Sequence, residues 1–354
     1  MKIFVRPIIY LAAVCVFSAL LSCSSAQSIE AVDYLMGTRV LIRLTPSEGR
    51  DVREDIKAVL LAVRAFEHTT SAHREDSFPA RLALHGEAAF ESEDEKALYP
   101  LLGEAFALAR ASGGSFDPLL GGLTKLWGFS ASLALPVSPP ADEERYRLVA
   151  VSGYEKLIRL DERGMAVTKG AALDLGAIAK GAILDRAAEM LLSWGYTQAL
   201  LNFGGDVLVL GARAGTKDEP WRVALQHPRE SQGYWGVVHM RGGAVATSGD
   251  YERYFMYDGE RYHHILDPHT GLPARNAVSA SVIGPRAALT DALSTALFVL
   301  GAERGFEMLA HFPEYHGLVV FLSNDVLIDR KSLGFVHAAS WKPAAAGVSA
   351  GEAR

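Results

Sequence analysis

Apolar residues recur every three to four positions in two stretches of the first third of the chain. Val52, Ile56, Val59, Leu60, Val63 and Phe66 fall on one face of a helix. Leu98, Leu101, Leu102, Ala105 and Leu108 do so again, after Ser92 and Glu95 at the spacing of a capping box. Gly113-Gly114 ends the second helix, and the Pro/Ser-rich run 135–140 predicts an exposed loop or crossing. Residues 179–194 predict a further helix closed by Gly195. Residues 199–203 and 207–210 predict strands around a glycine turn, and 221–225, 237–240, 251–257 and 278–283 predict four more before a helix around 290–300. Helices and strands mix without an internal repeat, so the class is α+β, with mixed sheets and packed helices.

The first two dozen residues break this pattern. Lys2 and Arg6 precede an apolar run over 8–21 that ends in Leu20-Leu21-Ser22-Cys23. The run is short for a membrane span, and small residues around a Cys suit cleavage and lipidation, so 1–22 reads as a lipoprotein signal peptide and Cys23 as the anchor. An uncleaved short anchor is the alternative. Residues 23–28 then form a tether, 29–341 the catalytic unit, and the Ala/Gly-rich 342–354 a flexible tail.

The chain has two Cys, and Cys15 lies in the segment expected to be removed, so the mature protein has no partner for a disulfide and no Cys/His zinc framework. A formal net charge of −6 without a Lys/Arg run argues against nucleic acid as a partner. Any anionic ligand is held locally.

Four segments carry polar residues in patterns that suit such a ligand. In 173–185, LDLGAIAKGAILD, a strand-to-helix change places Asp174, Gly176 and Lys180 where helix-start amides and a cation meet a phosphate, although a capped amphipathic helix explains the same residues. The P-loop spacing is absent. Asn202-Phe203-Gly204-Gly205-Asp206 is a glycine turn, for which an ordinary hairpin is the simpler account. Thr247-Ser248-Gly249-Asp250 precedes His263-His264, and His264, with an ordinary pKa near neutrality, is a candidate proton acceptor. The alternative is that both histidines brace a turn. Asp291, Ser294 and Thr295 share one face of a helix start, reading either as an exposed N-terminal acid with solvated hydroxyls or as oxygen ligands for a hard ion such as Mg2+.

Together these segments resemble the ApbE-type FAD:protein FMN transferases, whose LDLGxIAKG, NxGGD, ATSGDY, HHxxDPxTGxP and DALxTAL patterns stand here as LDLGAIAKG, NFGGD, ATSGDY, HHILDPHTGLP and DALSTAL. With Met36-Gly37-Thr38 and Ser115-Phe116-Asp117-Pro118, the resemblance covers nearly all of the mature chain. It implies a T-fold-related α+β architecture that binds FAD, uses Mg2+, and joins FMN through its phosphate to a Thr or Ser of an acceptor protein, releasing AMP. Met36, His73, Ser115, Phe116, Asp117, Asp174, Lys180 and Ile265 match or neighbour FAD-contacting positions. The Ala177 carbonyl, Asp291 and Thr295, with Ser294 beside them, match the metal site. Catalytic roles fall to His264, Lys180 and Asp291. The implied acceptor is a membrane electron-transfer subunit, and the implied place is the periplasmic side of a bacterial membrane, reached through the lipid anchor.

The resemblance breaks in one segment. Where the family pattern has S-x-Y-x-x-x-S-x-x-x-x-x-N, this chain has Ser71, His73, Ser77 and Ala83, which replace a Tyr and an Asn. The smaller His73 ring is expected to admit water, so that the same site could hydrolyse FAD to FMN and AMP. A lipoprotein that only binds FAD is the third reading.

Overall fold

The computed structural model describes residues 28–72, 74–129, 138–230, 233–323 and 325–329. The signal peptide, Cys23, His73, residues 135–137 of the expected loop and the C-terminal tail lie outside them.

The chain opens on strands β1 (Ile29–Leu35) and β2 (Thr38–Leu44), joined through Met36-Gly37. Helices α1 (Val52–Thr70) and α2 (Phe78–His85) lead to β3 (Glu87–Ala89), α3 (Glu93–Lys96), α4 (Leu98–Ala111), α5 (Gly121–Leu126) and α6 (Asp142–Val151). Strands β4 (Leu157–Asp161) and β5 (Gly164–Val167) complete a small antiparallel sheet, ordered β3-β5-β4. After α7 (Ala179–Ser193) come β6 (Ala199–Phe203), β7 (Asp206–Leu210), β8 (Trp221–Gln226), β9 (Tyr234–Met240) and β10 (Gly242–Gly249). The hairpin β11 (Tyr254–Tyr257) and β12 (Glu260–His263), then β13 (Ser279–Gly284), α8 (Ala287–Leu309), β14 (His316–Val320) and β15 (Val326–Ile328) follow.

Eight strands form one antiparallel sheet in the order β1-β2-β6-β7-β10-β13-β14-β15. Alternation along each strand decides what each face packs against. Leu201, Leu208, Ala244, Ala280 and Val319 point to the side of α7 and α8 and belong to the main core. Val207, Val209, Val245, Ile283 and Leu318 point the other way, where the β8–β9 hairpin supplies Trp221, Val223, Leu225, Trp235 and Val238. That hairpin therefore seals one part of the second face.

Four expectations change. The capping box forms in part: Ser92 Oγ accepts from Glu95 N at 3.2 Å, but the Glu95 carboxylate turns to Glu91 N and Arg81, and the predicted single helix is divided into α3 and α4 at Ala97. No strand runs directly into α7 from residue 173, because the backbone of that stretch is committed to the 113–121 loop: Asp174 N donates to Pro118 O and Gly121 N to Ala172 O. The strand expected at 251–257 begins at Tyr254, after a turn over 250–253. The final helix is longer than predicted and breaks at Gly301, whose φ of 74° and ψ of −174° are not helical. Asn276 Nδ2 donates to Val299 O at 2.6 Å beside the break.

Candidate active site

The crossing of α7 and α8 builds the centre of the site. A Cβ placed on Gly181 would lie 2.1 Å from Ala287 O, so only glycine lets the two backbones approach this closely. Each helix then lends a carboxylate to the other. Asp185 of α7 accepts from Ala287 N and Ala288 N at 2.7 and 3.0 Å, capping α8, whose N-cap residue Arg286 has no side-chain cap bond of its own. Asp291 of α8 accepts from Gly181 N at 3.1 Å.

These contacts bring Asp291 to Lys180, with Lys180 Nζ 3.2 and 3.3 Å from its two oxygens. From the sheet beneath, Asp206 at the start of β7 meets the same ammonium at 2.8 Å. Both carboxylates are 3% exposed. Burial works to lower the Lys180 pKa, but the two anions outweigh it and hold the group charged and above its ordinary value. Asp206 is pushed up to about 7, first by burial and then by repulsion from Asp291, against the pull of Lys180. One ammonium thus serves two buried carboxylates, and the repulsion between them, which helps raise the Asp206 pKa, is what a proton or a further cation relieves. Asp291 is not the exposed helix-start acid that sequence alone allowed.

Beside this cluster lies a directed chain of hydroxyls. Ser294 Oγ donates its one proton to Asp291 O at 2.8 Å. It must therefore accept from Ser248 Oγ at 2.8 Å, which in turn accepts from Thr295 Oγ1 at 3.1 Å. Ser294 is enclosed and committed to the chain, whereas Thr295 keeps lone pairs to offer. Ala177 lies just ahead of the Ile178 N-cap. Oxygen donors from a carboxylate, a hydroxyl and a carbonyl are the set that magnesium takes, so the residues present fit that ion.

Loops complete the surround. Asp174 Oδ1 accepts from Gly176 N at 2.8 Å and fixes the turn into α7. Ser115, Phe116 and Asp117 are buried, and Asp117 ties two segments by accepting from Leu119 N at 2.8 Å and Tyr154 N at 2.6 Å. Burial raises its pKa to about 6 despite those bonds. Met36 sits at a φ of 54°, an uncommon conformation for a residue with a side chain, in the loop tip whose Gly37 faces the Arg253 guanidinium.

His264 donates its backbone N–H to Arg253 O at 3.1 Å, and its Nδ1 is enclosed without a partner. Burial, then repulsion from His263, Arg253 and Lys180, lowers its pKa to about 3. The near-neutral value expected from sequence is thereby corrected: the ring is an uncharged and weak base in this state. Ile265 is buried and donates its N–H to His263 Nδ1 at 3.3 Å, while His263 Nε2 donates to Ala274 O at 2.8 Å.

His263 is thus held neutral, with a pKa lowered to about 4, first by burial. Between pH 6.5 and 4 the unfolded chain binds a proton here that the folded chain refuses, so the contribution is complete above pH 6.5 and drains as pH falls towards 4. About 2 kcal/mol is expected to be lost from this group between pH 7 and pH 5. Denaturant unfolding at the two pH values should show a smaller loss for His263→Gln than for the parent, and equal losses would refute the assignment.

Residues 36–319 match the model of the ApbE family. The chain belongs to that family. It is 34% identical over 345 residues to an FAD:protein FMN transferase of Treponema pallidum, a match covering 91% of this chain and 92% of the relative. An FAD:protein FMN transferase of Rhodobacter capsulatus is 37% identical over 287 residues, covering 78% of this chain and 52% of the relative. The crystal structure of the ApbE protein of Thermotoga maritima matches with a TM-score of 0.79 at 35% identity, over 87% of this chain and 99% of that one. The flavin transferase ApbE from Vibrio cholerae matches at 0.77 and 28%, over 88% and 99%. The mixed helix and sheet architecture is that of the ApbE flavin transferases.

Within this ApbE-family fold, Asp206, Ser248 and Asp185 help build the candidate site, and the sequence reading, which includes the segments that contain them, gives them no role. Asp206 carried a signal. It begins a strand whose next residue, Val207, faces the β8–β9 layer, so the alternation of the pleat turns Asp206 towards the helices and Lys180.

Proposed function

We propose that this chain is a magnesium-dependent FAD:protein FMN transferase that joins FMN by a phosphoester bond to a Thr or Ser of an acceptor protein. The observation that carries this is Lys180 shared between two buried carboxylates, Asp206 and Asp291, beside the unpartnered Nδ1 of His264. The family's curated relatives bear the name of this activity.

In the reaction the acceptor oxygen forms a bond to the FMN phosphorus, the bond from that phosphorus to the bridging oxygen breaks, and AMP leaves with the electron pair. Lys180 opposes charge on the phosphates, Asp174 orients the nucleotide, and the Met36 tip with Ser115, Phe116, Asp117 and Ile265 shapes the nucleotide pocket. Asp291, Thr295 and the Ala177 carbonyl would hold Mg2+, which supplies Lewis-acid stabilisation of phosphoryl oxygens when bound. His264 takes the hydroxyl proton, and phosphate charge beside the ring raises its basicity from the value in the free protein.

His73 and Ala83, standing where the family pattern has Tyr and Asn, favour a second reading, hydrolysis of FAD by water. Incubation with FAD, magnesium and membranes of the source bacterium separates the readings. A transferase releases AMP and leaves a flavin-fluorescent protein band on a denaturing gel. A hydrolase gives AMP and free FMN without the band, and a binder gives no AMP.

The acceptor is a membrane electron-transfer subunit, and the enzyme acts on the periplasmic side of a membrane from a lipid on Cys23. The charged, apolar and Leu-Leu-Ser-Cys order at the N-terminus supports this placement. Cys23→Ala is expected to lose lipid labelling in cells, and labelling that persists would exclude Cys23 as the sole anchor.

A further inference from the structure

His264 directly follows the β11–β12 hairpin, whose two strands pair with each other and, among the described residues, share no ladder with the large sheet. Phe255 and Tyr262 of the hairpin pack on Trp127 and Phe129, and its tie to the end of β10 is polar. Asp250, the first residue beyond β10 and two beyond Ser248 of the hydroxyl chain, makes that tie. Its N–H donates to Val278 O at 3.0 Å, just ahead of β13. Its carboxylate is 8% exposed and accepts two bonds from the Arg229 guanidinium, both of 2.7 Å, and one from Arg261 Nη1 at 3.2 Å.

The two arginines come from different layers. Arg229 lies in the connection between β8 and β9, and Arg261 lies in β12, three residues ahead of His264. Arg261 is also seated over the Tyr254 ring at the start of β11, 4.1 Å from its centroid. Charge-assisted bonds of this kind are directional as well as strong, so one buried carboxylate fixes the hairpin against the sheet end. Both Asp250 oxygens are occupied by guanidinium groups, which suits a brace and not a base. From the other side Arg253 O, at the end of the turn that Asp250 begins, accepts from His264 N at 3.1 Å. The backbone of His264 is bracketed between that turn and β12, and the Asp250–Arg261 pair closes the bracket.

We propose that Asp250 is a positioning residue for the transfer reaction, fixing through Arg261 the hairpin that sets the His264 ring in the site. The inference rests on the reaction stated above and on the part of His264 in it. Asp250→Asn and Arg261→Gln nearly keep the size of each side chain and remove the ion pair. The Arg229 and Arg261 side chains are 29% and 24% exposed and can turn to water, so the fold survives the loss of their counter-ion.

The test measures AMP release from FAD at saturating magnesium, per folded protein, for the full-length parent, both variants and the double variant, with FAD affinity by fluorescence titration. Each single variant is expected to lose about tenfold or more in kcat while FAD affinity stays within about twofold of the parent's, because a displaced proton acceptor slows the chemical step and leaves the nucleotide pocket intact. The double variant should lose no more than Asp250→Asn alone, since the two side chains act through one contact. A kcat for Asp250→Asn within about twofold of the parent's overturns the assignment. So does a loss of FAD affinity that matches the loss of rate, which marks a brace for the pocket at large, and so do single losses that multiply in the double variant. A parent that releases no AMP sinks the reaction itself, and the role of Asp250 falls with it.

Discussion

Asp291→Asn is expected to keep its fold and lose at least about 10²-fold in magnesium-dependent AMP release from FAD. Asn retains an oxygen that can accept from Gly181 N, and Lys180 keeps Asp206 as counter-ion at 2.8 Å. The substitution removes the charge that a metal ligand supplies while leaving the shape of the helix crossing. Asp291→Ala is a worse test. It strands a buried backbone donor at a cost of about 1–3 kcal/mol, so its lost activity would be confounded with lost stability. The measurement is AMP by chromatography across a magnesium series, with thermal melting alongside. Parent-level release at the parent's magnesium dependence would remove Asp291 from the metal site.

Gly181→Ala is expected to cost about 3 kcal/mol or more and to leave little folded protein. The added carbon would stand 2.1 Å from Ala287 O, 2.5 Å from its carbonyl carbon and 2.7 Å from Ala288 Cα. All three are backbone atoms of a helix start, so no side chain can swing aside. Gly103 is the control, since its added carbon meets nothing within 4 Å in the middle of α4. Gly103→Ala should stabilise by about 0.5–1 kcal/mol through helix propensity. Denaturant midpoints that move the same way for both substitutions would refute the close-approach argument.

The parts of this fold visible in the sequence are those where periodicity and punctuation agree. Helix α7 shows its apolar stripe and stops at Gly195, whose φ is 85°, and the β6–β7 hairpin announces itself by Gly204-Gly205 between alternating strands. What stayed hidden depends on partners remote in the chain. Residues 171–178 resemble a strand by composition, yet their backbone bonds run to the 113–121 loop. Asp291 looks like an exposed cap until Gly181 brings α7 over it. His264 has an ordinary pKa in isolation, and only burial together with Lys180 and Arg253 lowers it. The family motifs placed Lys180, Thr295 and Asp291 in a common region, but the sharing of Lys180 with Asp206 is a property of the packed sheet end.

The exchange of carboxylates between α7 and α8 ties the site's assembly to one event. The backbone amide of Gly181 is shielded only when Asp291 is in place, and those of Ala287 and Ala288 only when Asp185 is. Neither helix can separate without exposing donors on both, so the two ends open to solvent together, as one unit of local unfolding. A protein caught in that opened form would hold Lys180 and Asp291 apart, and the cluster at the centre of the candidate site would cease to exist before the sheet itself came apart.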